Sequence, residues 1–165
     1  MIYAILAVLL VVIDQITKYL VRANIDLGEH ITFIPGLLDL TYVQNTGAAF
    51  SILEKHTWLL TLFSAAIVVL IAFLVTRGWF KGWVGLTAAT LIMAGGVGNL
   101  LDRVAFKFVT DMLATTFIDF PVFNFADCCI TVGVVLLFIY TLFFWDDGKK
   151  KGGAKDGTDL PSDNP

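Results

Sequence analysis

Two carboxylates, Asp111 and Asp127, lie sixteen residues apart, between two hydrophobic runs each long enough to cross a bilayer. Ionisable groups at such a border cost free energy unless something pairs or uses them. Two carboxylates brought close together cannot both ionise cheaply, so one keeps a proton while its partner stays a base. Such a pair can take a proton from water and give one to a leaving amine, which is how an aspartate pair hydrolyses a peptide bond. The same stretch carries Asn99, Asp102, Arg103, Asp119 and Asn124-Phe-Ala126-Asp127. Each has a plainer explanation. Asn124 with Asp127 three residues on has the form of a helix cap, and an acid there is favoured by the helix dipole. Asp111 reads locally as a solvated loop acid, and Asp119 as a third candidate of similar character. Asp102-Arg103 could end a helix in the headgroup layer.

Other chemistries find less support. Ser51 and Lys55 are four apart and imitate a Ser/Lys dyad, but Glu54 and His56 flank the lysine, which must be desolvated to act as a base. Ser64 has no His or Lys near it in sequence, and there is no G-x-S-x-G. His30 and His56 lack the spacing of a metal motif, so a metal site has little support. Cys128 and Cys129 are adjacent, point apart on a helix, and read as small buried residues rather than a disulfide or chelate. A net charge of −3 offers no basic surface for nucleic acid. Transport or proton conduction is a second class of function, since Asp14, Lys18 and Asn99 could line a path. A scaffold without chemistry is a third.

Elements that would position these groups follow from hydropathy. The chain is 58% hydrophobic, above the ~45–50% of ordinary soluble domains. Four membrane helices are expected, at about residues 2–21, 57–76, 84–101 and 126–145. No Lys or Arg precedes Asp14, so the first is expected to stay uncleaved. Asp14, Lys18 and Arg22 fall four apart on one of its faces, as an ion pair, a polar cavity wall, or both. Small residues from Ala88 to Gly98 let the third helix be approached closely. Between the first two helices, Phe33-Ile-Pro35-Gly36 signals a turn and 38–44 is β-prone, so a small sheet outside the membrane core is expected. Residues 1–145 form one domain in this reading, and the polar segment 146–165 is expected to be a disordered tail. The basic residues of the 77–82 loop and the tail outnumber those of the opposite side, six to five. That favours cytoplasmic termini, with Asp111 and Asp127 near the outer face.

Five blocks add a resemblance: Asp14-Gln-Ile-Thr-Lys18, Val43-Gln-Asn45-Thr-Gly47-Ala-Ala-Phe50, Gly95-Gly-Val-Gly98-Asn99-Leu-Leu-Asp102-Arg103, Val109-Thr-Asp111 and Phe123-Asn124-Phe-Ala126-Asp127. With these blocks in order between four hydrophobic segments, the chain resembles the bacterial signal peptidase II (lipoprotein signal peptidase) family. The resemblance implies an all-α integral membrane protein of four transmembrane helices. A small extracytoplasmic β-cradle and an amphipathic membrane-surface segment would complete it. It implies an aspartic endopeptidase of the bacterial inner membrane that cuts signal peptides from diacylglyceryl-modified prolipoproteins before the lipidated cysteine. The catalytic pair then falls on Asp111 and Asp127. Asp14, Lys18, Asn45, Gly47, Asn99, Asp102, Arg103, Asn124 and Ala126 fall on substrate-binding or supporting positions. Expected partners are the prolipoprotein substrates and membrane lipid, and the chain is expected to act as a monomer.

Overall fold

A computed structural model describes residues 1–47 and 57–144. Four helices are long and apolar enough to cross a membrane: α1 (Ile2–Asn24), α2 (Thr57–Thr76), α3 (Gly82–Phe106) and α4 (Phe125–Phe143). Their burial pattern is inverted relative to a water-soluble bundle. On α1 the buried residues are Asp14, Lys18 and Val21, while Val8, Leu9, Val12 and Ile16 are exposed. Apolar side chains facing hydrocarbon lose nothing there, whereas unpaired polar groups would cost several kcal/mol each, so the polar face turns inward. Along α2 only Leu60 and Ile71 are buried.

α3 is the central helix and packs against α1, α2 and α4. Its small residues make this possible. A Cβ on Gly95 would collide with the Ala126 carbonyl oxygen, and one on Gly133 of α4 would lie 3.0 Å from the Ala88 carbonyl oxygen. At the end where α2 turns into α3, Ile71, Phe80, Val84, Ala89, Ile92 and Tyr140 form an apolar cluster. There the Tyr140 hydroxyl donates to the Trp79 carbonyl at 3.1 Å.

The opposite end carries a three-stranded antiparallel sheet of β1 (His30–Ile34), β2 (Leu38–Asn45) and β3 (Val109–Thr115), in that order. β1 and β2 are joined by the expected Pro35-Gly36 turn, with Gly36 at φ 72. β2 pairs with β3 so that Val43 lies opposite Asp111 and Asn45 opposite Val109. After β3 the chain returns, and Leu113 and Phe123 exchange backbone hydrogen bonds at 2.8 and 3.1 Å. That return delivers Asn124 beside Asp111.

Several sequence expectations need correction. Asp111 is not in a loop; it sits in β3, because Val109–Thr115 finds its ladder partner in β2, far upstream. α3 does not end at Leu101 but runs to Phe106 and stops at Lys107 in the left-handed region (φ 68). Asp102 stays helical because α1 and β3 satisfy its charge. α1 runs to Asn24, past the expected end at 21, and α4 is shifted by one or two residues at its ends. Ser51, Lys55, the Ala48-Ala49-Phe50 end of the second block and the 146–165 tail lie outside the described residues. The amphipathic surface segment is not among the described elements.

Candidate active site

Asn124 is the N-cap of α4, with an extended backbone (φ −133, ψ 179). Its Oδ1 accepts the Asp127 backbone N–H at 3.0 Å, and Asp127 Oδ2 accepts the Asn124 backbone N–H at 3.1 Å. This reciprocal box satisfies two amides that a helix start leaves unpaired, and replacing such a cap by alanine costs about 1 kcal/mol. Because Oδ1 is committed to a donor, Asn124 Nδ2 must point the other way. It donates to Asp111 Oδ1 at 2.6 Å and to Asn99 Oδ1 at 3.2 Å.

Two more asparagines are fixed in the same manner. Asn45 Oδ1 accepts the Gly47 N–H at 3.0 Å, so its Nδ2 faces Asp111 Oδ2 at 2.8 Å. Asn99 Oδ1 accepts from Lys18 Nζ at 2.8 Å, so its Nδ2 faces Asp127 Oδ1, also at 2.8 Å. An ammonium and a backbone N–H can only donate, so each amide has one allowed orientation. All four carboxylate oxygens of Asp111 and Asp127 therefore accept a hydrogen bond on the protein side.

Asp111 is only 2% exposed. Burial pushes its carboxyl up to about 7, and the Asp127 carboxylate adds to the rise; the Asn45 and Asn124 amides and the Lys18 charge oppose it. A carboxyl at that value can hold or release a proton near neutral pH.

Behind the pair lies a buried ion cluster. Lys18 Nζ is 2.9 Å from Asp14 Oδ2 and 3.8 Å from Asp102 Oδ2, with all three side chains essentially inaccessible. Asp14 Oδ1 accepts the Ala126 N–H at 3.0 Å and so ties α1 to the start of α4. Asp102 Oδ2 accepts the Thr110 N–H at 2.8 Å and ties α3 to β3. Arg22, over the Phe106 ring at 4.5 Å, donates to Thr110 Oγ1 at 2.7 Å and lies 3.6 Å from Asp102. Asp14 and Lys18 are thus an ion pair, and neither lines the cavity described next.

The two acids open onto a cavity of about 980 Å³. Asn45, Gly47, Asn99, Arg103, Asp111 and Asp127 of the expected set line it, as does Asp119. Asp14, Lys18, Asp102, Asn124 and Ala126 stand behind that lining. The remaining wall is largely apolar, with Val43, Phe120, Phe123, Ile130 and Val132. Arg103 donates to Ser64 Oγ at 3.3 Å, anchoring α3 to α2 beside the acids. Cys129 is buried as expected, but Cys128 is only half-buried and faces the cavity. Among the described residues no three His, Cys, Asp or Glu side chains are grouped as a metal site requires.

Sequence reasoning did not single out Gln15, Thr110 or Phe123. Gln15 Nε2 donates to Asp14 Oδ2 and to the Gly98 carbonyl, both at 3.1 Å. Its place beside Asp14 was the only local signal. Thr110 and Phe123 act through non-local pairing, which no local pattern shows.

The fold and the site define a multi-pass membrane protein with a supported acid pair at one end of its bundle. A family model described as signal peptidase (SPase) II matches residues 6–143, and the chain belongs to that family of membrane proteases. The lipoprotein signal peptidase of Enterococcus faecalis is 40% identical over 157 residues, covering 95% of this chain and 96% of that one. The lipoprotein signal peptidase of Streptococcus pyogenes serotype M1 is 44% identical over 133 residues, covering 80% and 87%. A bacterial membrane enzyme solved by the in meso method superposes with a TM-score of 0.81 at 29% identity, covering 96% of this chain and 94% of that one.

Proposed function

We propose that the chain is an aspartic endopeptidase that removes the signal peptide from diacylglyceryl-modified prolipoproteins, cutting immediately before the lipidated cysteine. The observation that carries this reading is the pairing of Asp111 and Asp127 through one residue: Asn124 donates to Asp111 and forms the capping box with Asp127. The relatives named as lipoprotein signal peptidases supply the substrate class.

Water held between the two carboxyl groups attacks the scissile carbonyl. One carboxylate takes the water proton, and the other carboxyl protonates the leaving amine. Asn45 and Arg103, on the cavity wall, hold the peptide backbone or brace the adjoining chain. No metal or organic cofactor enters this scheme. The apolar wall suits a substrate that is itself an apolar helix with acyl chains, and the polar floor suits the peptide bond.

The site lies where α1 and α3 end and α4 begins, opposite the 77–82 loop. With the termini and that loop in the cytoplasm, the acids stand near the outer face, within reach of both lipid and water. Residues 1–145 act as one domain and as a monomer, and 146–165 is a polar tail.

Purified full-length chain, offered a diacylglyceryl-modified prolipoprotein and its unmodified form, tests the reading. The expected result is one cut in the modified substrate only, with product masses placing it at the amino side of the modified cysteine. A different bond, or equal cutting of both forms, would overturn it.

A further inference from the structure

We infer that Lys18 is a positioning residue: by fixing the Asn99 amide it holds Asp127 as the ionised, water-activating member of the pair and leaves the shared proton on Asp111. This rests on the peptidase reading above and assigns roles within it.

Lys18 is fully buried, yet it touches neither acid and lies outside the cavity lining. Its ammonium is 2.8 Å from Asn99 Oδ1. Asn124 Nδ2 also donates to Asn99 Oδ1, at 3.2 Å, so of the two donors that set this amide Lys18 is the nearer and the charged one. With Lys18 present the amide is fixed and polarised by a full positive charge, and hydrogen bonds in series strengthen one another. Asp127 thus receives an Asn99 N–H backed by an ammonium, and a backbone N–H at the first turn of α4, where the helix dipole favours an anion. Asp111 receives two neutral side-chain amides from a strand and a cap. The donors are equal in number; those on Asp111 are shorter, at 2.6 and 2.8 Å against 2.8 and 3.1 Å, but those on Asp127 have the Lys18 charge and the helix dipole behind them.

The charged and titratable groups around the pair come from every packed element. They are Asp14, Lys18 and Arg22 of α1, Asp102 and Arg103 of α3, Asp111 of β3, Asp119 of the cavity wall after β3, and Cys128 beside Asp127 on α4. Arg103 acts on both acids. The Lys18 charge also reaches Asp111, but the amide it donates to, Asn99, donates in turn to Asp127.

The balanced step follows. Water oxygen bonds to the carbonyl carbon while Asp127 takes a water proton. The C–N bond then breaks as the Asp111 proton passes to the amine nitrogen. Proton return from Asp127 to Asp111 through solvent restores the pair, and the net consumption is one water.

The test uses the full-length chain in lipid, with a diacylglyceryl-modified prolipoprotein as substrate. It compares wild type, Lys18→Arg and the charge-neutral double variant Lys18→Met/Asp14→Asn, in which the amide introduced on α1 keeps an oxygen for the Ala126 N–H. In the double variant the acidic limb of the pH–rate profile is expected to rise by about one unit. Its kcat should fall at least about tenfold, with KM within about threefold. Lys18→Arg, again a donor-only cation, should keep the limb within about 0.3 unit. An unmoved limb in a folded double variant, while wild type still cleaves, overturns the inference alone. Failure of wild type to cleave overturns the peptidase reading instead.

A second measurement needs no Lys18 variant and no turnover. Infrared spectra at about pH 6 should show a protonated carboxyl band that Asp111→Asn removes and Asp127→Asn leaves. The reverse pattern overturns the inference even where the double variant fails to fold.

Discussion

Asn124 and Asp127 are bonded to each other twice, Asn124 Oδ1 to the Asp127 N–H at 3.0 Å and Asp127 Oδ2 to the Asn124 N–H at 3.1 Å. From sequence, a helix cap competes with a reactive site as the explanation of Asp127. In the structure the cap is what builds the site. Committing Asn124 Oδ1 to the helix start leaves Nδ2 for Asp111, and committing Asp127 Oδ2 to the cap fixes which carboxylate edge faces Asn99. A local motif worth about 1 kcal/mol of helix stability thereby sets the orientation of two acids from different elements.

Asp111 gives a pH dependence with a definite sign. Its carboxyl stands at about 7 against an ordinary 3.8, with burial as the main cause. Between those values the folded protein holds a proton that the unfolded chain has lost, so this group's contribution to stability falls as pH rises and its full cost is present above 7. Asp111→Asn has no charge to desolvate. Its Nδ2 faces one of two fixed amide donors, a cost that does not vary with pH, so its melting point relative to wild type should rise steadily from about pH 4 to about pH 8. Melting curves of both proteins across that range check this, and a pH-independent gap would contradict it.

Asp102 reaches neither acid, but it joins Lys18, Arg22 and the Thr110 N–H at the root of β3. Asp102→Ala leaves the buried Thr110 amide without its acceptor, while the Lys18 ammonium keeps Asp14 at 2.9 Å and Asn99 at 2.8 Å. A loss of about 1–3 kcal/mol is expected from a buried donor left unpaired. Thermal unfolding measures it. Hydrogen exchange at the Thr110 amide should accelerate in the same variant, whereas unchanged protection there would mean that β3 is held by its ladder alone.

Gly95 and Gly36 separate close packing from backbone conformation. A methyl on Gly95 meets the Ala126 carbonyl oxygen and Ile130, so Gly95→Ala should push α4 from α3, cost about 1–3 kcal/mol and disturb the acid pair. Gly36 has open space around it but a φ of 72, so Gly36→Ala should cost about 1–2 kcal/mol in the turn and leave cleavage intact. Paired melting and cleavage assays distinguish the two, and equal loss of activity would contradict the assignment.

What sequence could show followed the range of each interaction. The four spanning helices were legible because twenty apolar residues satisfy a bilayer whatever else they touch, and α2 was expected at 57–76, the bounds the structure gives it. The α4 cap was legible because its partners are three residues apart. The Asp14–Lys18 pair was legible as one of two readings, and the structure shows it as a strut behind the pair. β3 was missed because Val109-Thr-Asp-Met-Leu-Ala-Thr115 becomes a strand only against β2, more than sixty residues upstream. The continuation of α3 past Leu101 was missed because Asp102 looks like a helix end until Lys18, Arg22 and Thr110 are set around it. The convergence of Asp111 and Asp127 on Asn124 depends on that same pairing, and only the resemblance to a family anticipated it.

The most direct measurement compares cleavage of a diacylglyceryl-modified prolipoprotein by wild type, Asp111→Asn and Asp127→Asn, each confirmed as folded by its melting curve. Asparagine keeps the shape and one acceptor oxygen at each position but can neither accept the water proton nor supply one to the amine. Each variant is expected to lose at least about 10²-fold in kcat/KM, the scale of a lost general acid or base. A folded variant of either kind that cleaves at a near-normal rate would contradict the acid-pair mechanism.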